Sequence, residues 1–134
     1  MLLPLFLGVA FALLAIALFH LSGMSRDRAA GPVTLVAIAL FYPVFAVENG
    51  DLVQVLFHAA IASLFTGIAI LGYRTRFVWI GLGLIGHGVF DAIAHASLDG
   101  PAPDWWGPFC IGVDVVLGAW LLTIRPEQFR GGSR

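Results

Sequence analysis

Five long apolar segments limit what this chain can fold into more than any other feature of its sequence. They cover residues 2–21, 32–48, 51–73, 77–98 and 105–124. A helix that crosses the hydrocarbon core of a bilayer needs about 20 mainly apolar residues, with a range of roughly 17 to 25. The sequence therefore predicts an all-α fold, a five-helix transmembrane bundle.

The composition agrees with a membrane protein. Of the 134 residues, 60% are hydrophobic and only 11% are charged, whereas soluble domains carry about 25% charged residues. A soluble chain of this size could not cover so much apolar surface, so the lipid bilayer is the expected partner. The net charge of −1 shows no excess of basic residues, so no nucleic-acid partner is expected.

The domain organisation follows from the same pattern. Residues 1–125 form one transmembrane domain and residues 126–134 a polar tail. The first apolar run lacks the positive flank and small-residue cleavage site of a secretory signal, so it is expected to remain as a helix. Pro43 lies inside the second segment and should interrupt that helix, because proline removes a backbone N–H and clashes with the preceding turn.

The arginines predict the orientation. The chain has no lysine, and its seven arginines all fall in the first loop, the third loop and the tail. In a five-span protein these places lie on one side, and arginine near helix ends marks the cytoplasmic side. The amino terminus is therefore expected outside, and the carboxyl terminus in the cytoplasm, of a multi-pass cell-membrane protein.

The fourth segment is rich in glycine. Gly81, Gly83, Gly86 and Gly88 lie within it, and small residues let helix backbones approach closely in lipid. We expect this helix to pack at the centre of the bundle. The same surface would also suit a homo-oligomer formed with a second copy.

Ionisable side chains inside the apolar segments are the candidate functional residues. They are His20, His58, His87, Asp91, His95 and Asp114, with Glu48 and Asp51 at segment ends. A charge at the bilayer centre costs roughly 3 kcal/mol on insertion scales, so such residues are read as functional and as partnered. His20 is the exception: it lies near a helix end, where its ring can reach the interface.

The depths of the remaining residues coincide. At about 1.5 Å of rise per residue, four of them lie roughly 10 to 16 Å below the predicted outer ends of their helices. These four are His58, His87, Asp91 and Asp114. Glu48 and His95 lie nearer the outer surface, and the inner half of the bundle is almost free of polar residues.

The helical spacing suggests a metal site. His87, Asp91 and His95 recur every four residues and share one helix face, so Asp91 could bind an ion together with either neighbour. Cys110 and Asp114 repeat the spacing on the last helix. Imidazole and carboxylate ligands suit zinc, iron, copper or manganese. The predicted metal ligands are His58, His87, Asp91 and Asp114.

These motifs resemble those of a family of small, uncharacterised polytopic membrane proteins of bacteria and fungi. The resemblance covers the last third to half of the chain and rests on His87-x3-Asp91-x3-His95, a following proline, and Cys110-x3-Asp114. Phe90 and Ala94 depart from the tryptophan and the first histidine of that pattern. The resemblance implies where the site lies and no particular reaction.

Three functions remain open from the sequence. The first is an intramembrane enzyme that hydrolyses, isomerises or cyclises a lipophilic small molecule, with Glu48, Asp91, His95 and Asp114 as catalytic acids and bases. The second is binding or transport of a metal ion or protons. The scarcity of polar residues in the inner half of the bundle argues against transport. The third is a structural subunit of a membrane complex, with the polar layer joining its helices.

Overall fold

The computed structural model describes residues 2–97 and 100–132, and within them all regular secondary structure is helical. The helices are α1 (Leu2–Ser22), α2 (Ala30–Ala39), α3 (Phe41–Glu48), α4 (Leu52–Arg74), α5 (Val78–Ser97) and α6 (Trp106–Thr123). With α2 and α3 taken as one span, five helical segments are long and apolar enough to cross a membrane. The predicted all-α fold with five helices of membrane-spanning length is confirmed; residues 98 and 99, at the predicted end of the fourth span, lie outside the described part.

The second span is interrupted near the predicted position. Leu40 separates α2 from α3, three residues before Pro43. Because Pro43 has no N–H, the carbonyl of Ala39 lacks its usual partner four residues later. The helical bonds resume where the amide of Val44 donates to the carbonyl of Leu40 at 3.2 Å.

Two loops are joined at the end of the bundle that carries Glu48, Asp51 and Asp104, here called the acidic end. Asp51 caps α4: its carboxylate accepts hydrogen bonds from the amides of Val53 and Gln54 at 2.9 and 3.2 Å. The side-chain amide of Asn49 donates to the carbonyl of Pro101 at 2.9 Å and ties this turn to the α5–α6 loop.

Glycines set the closest helix contacts. A Cβ at Gly8 of α1 would overlap the carbonyl oxygen of Phe109, and one at Gly112 of α6 would lie 2.5 Å from that of Leu5. Gly118 and Gly81 also let α6 approach α5 closely, because a Cβ at Gly118 would lie 2.8 Å from the carbonyl oxygen of Gly81. Helix α5 packs against α2, α4 and α6, as its glycine content suggested. Contact with a second copy stays a prediction.

The opposite end, here called the arginine end, carries the arginines of the first and third loops and Arg125. In the half of the bundle next to it, the buried core residues that the structure describes are all apolar. The larger of these residues are Leu35, Phe65, Ile80, Leu84, Leu117 and Leu121. His20 lies exposed at this end, with its ring centroid 5.6 Å from that of Trp120, which is consistent with an interfacial position.

The predicted polar tail has some structure of its own. Its first part, Pro126–Gly132, forms a 3-10 helix. The ring of Phe129 packs against Phe77, with 4.7 Å between the ring centroids. This contact anchors the tail to the start of α5 at the arginine end.

Candidate metal or acid–base centre

Three buried ionisable side chains meet between α5 and α6. His87, Asp91 and Asp114 each offer one ligand atom, and these atoms all lie within 4.8 Å of one another. His87 is 1% exposed and both aspartates are 0% exposed. Among the described residues this group, here called the His/Asp/Asp cluster, is the one with the geometry to hold a metal ion.

The local sequence explains the cluster. His87 and Asp91 are four residues apart on α5, so their side chains project from the same face. Gly88 lies between them and lets α6 approach: a Cβ at Gly88 would be only 3.2 Å from the Cβ of Asp114. A larger residue there would push Asp114 away from His87.

His87 connects the two carboxylates. Its Nδ1 lies 2.7 Å from Oδ2 of Asp114 and 3.4 Å from Oδ2 of Asp91. With a proton on Nδ1, the imidazole donates a short hydrogen bond to Asp114 and faces Asp91 at a longer distance. A short contact of this kind is typical of charge-assisted bonds.

Three carboxylate oxygens of the cluster have no hydrogen-bond partner among the described residues: both oxygens of Asp91 and Oδ1 of Asp114. Two carboxylates face one imidazole, so even a protonated His87 leaves one negative charge unbalanced. Buried charges are costly unless they are paired and hydrogen-bonded. The cluster therefore offers ligand atoms and an excess of negative charge. Both suit the binding of a cation or of a shared proton.

Aromatic rings enclose the cluster, and one of them is a residue that the sequence did not single out. The ring of Phe65 packs edge-on to His87 with 4.8 Å between centroids, and that of Phe90 lies 5.9 Å away. The ring of Tyr42 also packs here, with 6.4 Å between its centroid and that of His87. In the sequence, the one feature that could have singled out Tyr42 is its position directly before Pro43, within the interrupted span.

His58 lies beside this enclosure and not in the cluster. It is 1% exposed, and its ring stacks on Tyr42 with 5.0 Å between centroids and an interplanar angle of 14°. Neither ring nitrogen has a hydrogen-bond partner in the described part of the chain. Tyr42 thus lies between His58 and His87 of the cluster. The predicted role of His58 as a metal ligand stays a prediction.

The two residues predicted nearest the surface are in different places. His95 lines a polar pocket of about 270 Å³ at the acidic end, together with Tyr42, Asp104 and Gly107. Tyr42 therefore joins this pocket to the His/Asp/Asp cluster. Glu48 is exposed at the end of α3, and the structure does not bring it to the cluster; its catalytic role also stays a prediction.

A second opening approaches the cluster from the side of the bundle. Helix α1 packs against α6, whereas α2 packs against α4 and α5. An apolar cleft of about 450 Å³ therefore lies between α1, α2 and α6. Its walls include Phe11, Thr34, Trp106, Cys110 and Asp114. Asp114 thus lies in the wall of a cleft whose other walls are almost entirely apolar, and its own side chain is 0% exposed.

No protein-family model, curated protein or solved structure matches this chain. The resemblance suggested by the motifs of α5 and α6 is thus without support from a family match and stays a prediction.

Proposed function

We propose that this protein is a membrane-embedded enzyme that acts on a lipophilic substrate at the His/Asp/Asp cluster. One observation carries the proposal: Asp114 belongs to a buried group of ionisable side chains and also lines an apolar cleft at the side of the bundle. Apolar sites with a few convergent polar groups are the usual form of a small-molecule site. Here the apolar part would take the chain of a lipid-like molecule.

The chemistry of the cluster supports a bound divalent metal ion, with His87, Asp91 and Asp114 as ligands. One nitrogen and two carboxylate oxygens leave coordination positions open for water or substrate, as catalytic sites require. Such an ion would polarise a carbonyl oxygen or activate a water molecule. The corresponding reaction is hydrolysis of a lipid ester or amide. Zinc, iron, copper and manganese all accept these ligands.

The same side chains could also work without a metal. Two carboxylates a few ångströms apart do not readily hold two negative charges in a dry site, so they tend to share a proton. The protonated carboxyl group would give its proton to one carbon of a substrate double bond. The other carboxylate would then remove a proton from a neighbouring carbon, which isomerises or cyclises the substrate. The two mechanisms differ in whether the active protein contains a metal ion.

The two openings suggest how an amphiphilic substrate would lie. Its apolar chain would occupy the cleft between α1 and α2, and its polar group would reach towards the pocket lined by Tyr42 and His95. Trp106 also lines the cleft, and its indole N–H has no partner among the described residues. That donor is available to an oxygen of the substrate. His95 would serve as the acid or base next to water.

The other two functions have less support. Transport of ions needs polar stations on both sides of the cluster, and the core between the cluster and the arginine end consists of apolar residues such as Leu84, Leu117 and Leu121. A purely structural polar layer would be expected to satisfy its own hydrogen bonds. Three carboxylate oxygens of Asp91 and Asp114 have no hydrogen-bond partner among the described residues, which argues against that role.

The orientation in the cell membrane forms part of the proposal. With the arginine end in the cytoplasm, both termini take their predicted sides, and the polar pocket at the acidic end opens to the outside. Water would then reach Tyr42 and His95 from the outer face, with Trp105 at the rim. The substrate would arrive from within the bilayer.

The test is turnover in proteoliposomes. The protein is reconstituted with a lipid extract of its own host membrane, with and without each divalent metal, and the lipids are compared by mass spectrometry over time. The wild type should consume one lipid class and form a product, and Asp114→Asn should not. His20→Ala, which changes an exposed histidine far from the cluster, should keep the activity.

Equal lipid profiles for the wild type and Asp114→Asn, in every metal condition and with both proteins folded, would reject the proposed enzyme. Turnover that needs a metal would favour hydrolysis. Turnover that survives a chelator would favour the proton-transfer reaction.

A further inference from the structure

A second apolar groove lies between α2 and α4, in the half of the bundle next to the arginine end. Its volume is about 490 Å³, within the range of sites that enclose small ligands. The walls are formed by Pro32, Val33, Val36, Ala69, Ile70 and Tyr73. This α2–α4 groove is separate from the cleft that borders Asp114 and takes no part in the proposed reaction.

The length of the groove fits one lipid chain. It follows α2 from Ala29 to Leu40, which at a rise of about 1.5 Å per residue is roughly 16 Å. Half of a hydrocarbon core about 30 Å thick is roughly 15 Å. An acyl chain that starts at the arginine end would therefore reach the middle of the bilayer where α2 ends.

The mouth of the groove is positively charged. Arg74 lines it, and the guanidinium carbon of Arg28 lies 5.7 Å from the ring centroid of Tyr73, another wall residue. None of the described residues that line the groove is acidic. The carboxylate of the neighbouring Asp27 accepts a hydrogen bond from the amide of Ala29, and in the described part of the chain neither arginine pairs with a carboxylate.

We propose that the α2–α4 groove binds one anionic phospholipid, with an acyl chain along the groove and the phosphate between Arg28 and Arg74. Guanidinium groups bind phosphate in a bidentate manner, and basic pockets between membrane helices recognise anionic head groups. The two arginines at the mouth of the groove should raise the affinity for an anionic lipid roughly 30-fold above that for a zwitterionic lipid with the same chains.

The experiment uses delipidated full-length protein in detergent and native mass spectrometry. Phosphatidylglycerol and phosphatidylcholine with identical chains are titrated, and the dissociation constant of the first bound lipid is measured for each. The wild type should prefer phosphatidylglycerol. Arg28→Gln/Arg74→Gln should lose that preference, whereas Arg125→Gln, which removes an arginine elsewhere at the same end, should keep it.

A second pair of variants tests the groove itself. Ile70→Trp places a large ring in the groove and should weaken binding of phosphatidylglycerol at least tenfold, whereas Leu71→Trp, on an exposed position outside the groove, should not. Equal affinities of the wild type for the two lipids would overturn the proposal. So would equal behaviour of the two arginine variants, equal behaviour of the two tryptophan variants, or displacement of the lipid by free glycerol phosphate at similar concentrations.

Discussion

Removal of His87 and neutralisation of Asp114 should have very different effects on stability. Nδ1 of His87 lies between the two carboxylates, 2.7 Å from Asp114 and 3.4 Å from Asp91. His87→Ala removes this group and leaves two buried carboxylates facing each other. Asp114→Asn removes one negative charge and keeps a carbonyl oxygen that accepts the hydrogen bond from Nδ1. The first change leaves the repulsion between the two carboxylates uncompensated, and the second change reduces that repulsion.

The magnitudes follow from the burial of these groups. Removing one member of a buried, hydrogen-bonded charge pair costs about 3 to 5 kcal/mol, and His87, Asp91 and Asp114 are almost completely buried. For Asp114→Asn, a charge-assisted hydrogen bond becomes a neutral one, a loss of about 1 kcal/mol. Weaker repulsion from Asp91 offsets part of that loss. The two variants should therefore differ by at least about 2 kcal/mol.

The assay is reversible unfolding in mixed micelles, followed by far-ultraviolet circular dichroism, without added metal. His20→Ala serves as the control for loss of a histidine at an exposed position. The expected order of stability is wild type, His20→Ala and Asp114→Asn close together, with His87→Ala far below. Equal, large losses for Asp114→Asn and His87→Ala would refute the reasoning, because Asp114 would then act as a structural hydrogen-bonding residue.

Three further predictions concern the metal, the helix packing and the topology. Elemental analysis of the purified protein should find a stoichiometric divalent metal that disappears in His87→Ala and remains in His20→Ala; metal retained by His87→Ala would contradict the ligand set. Gly118→Ala should lower the melting temperature, because its Cβ would lie 2.8 Å from the carbonyl oxygen of Gly81, whereas the nearest atom to a Cβ at Gly86 is 3.9 Å away; Gly86→Ala should therefore be neutral, and equal melting temperatures would contradict the packing. A cysteine placed at Arg76 should react with an impermeant thiol reagent only after the cells are opened, and labelling of intact cells would reverse the predicted orientation.

Much of the fold follows from the sequence because the lipid requirement is strict. Each span needs a long apolar run, and Pro43 must interrupt the helical hydrogen bonds near Leu40, as observed. The spacing of His87 and Asp91 fixes their common face. Predicted depth then put Asp114 in the same layer, together with His58, so helix geometry reduced the candidate ligands to four residues, three of which form the cluster.

What the sequence could not supply is the rotation of each helix about its axis. His58 was predicted to share the layer of the cluster, yet its ring stacks on Tyr42 and does not join the cluster. Tyr42 itself was missed because the direction of its side chain depends on the break at Leu40. The lateral cleft depends on where α1 docks, which is set by the contacts of Gly8 and Gly112 with α6, and no periodicity of α1 predicts that.

The central claim is that a lipophilic molecule reaches Asp114 through the cleft between α1 and α2. The most direct test is photolabelling in proteoliposomes with a long-chain lipid that carries a terminal diazirine, followed by peptide mapping. We predict insertion at Asp114 and Cys110 in the wild type. Ala15→Trp, which narrows the cleft, should abolish that insertion, and Ala17→Trp, on an exposed part of α1 outside the cleft, should not. Labelling confined to outer helix surfaces, or equal labelling of Asp114 in both variants, would contradict the account.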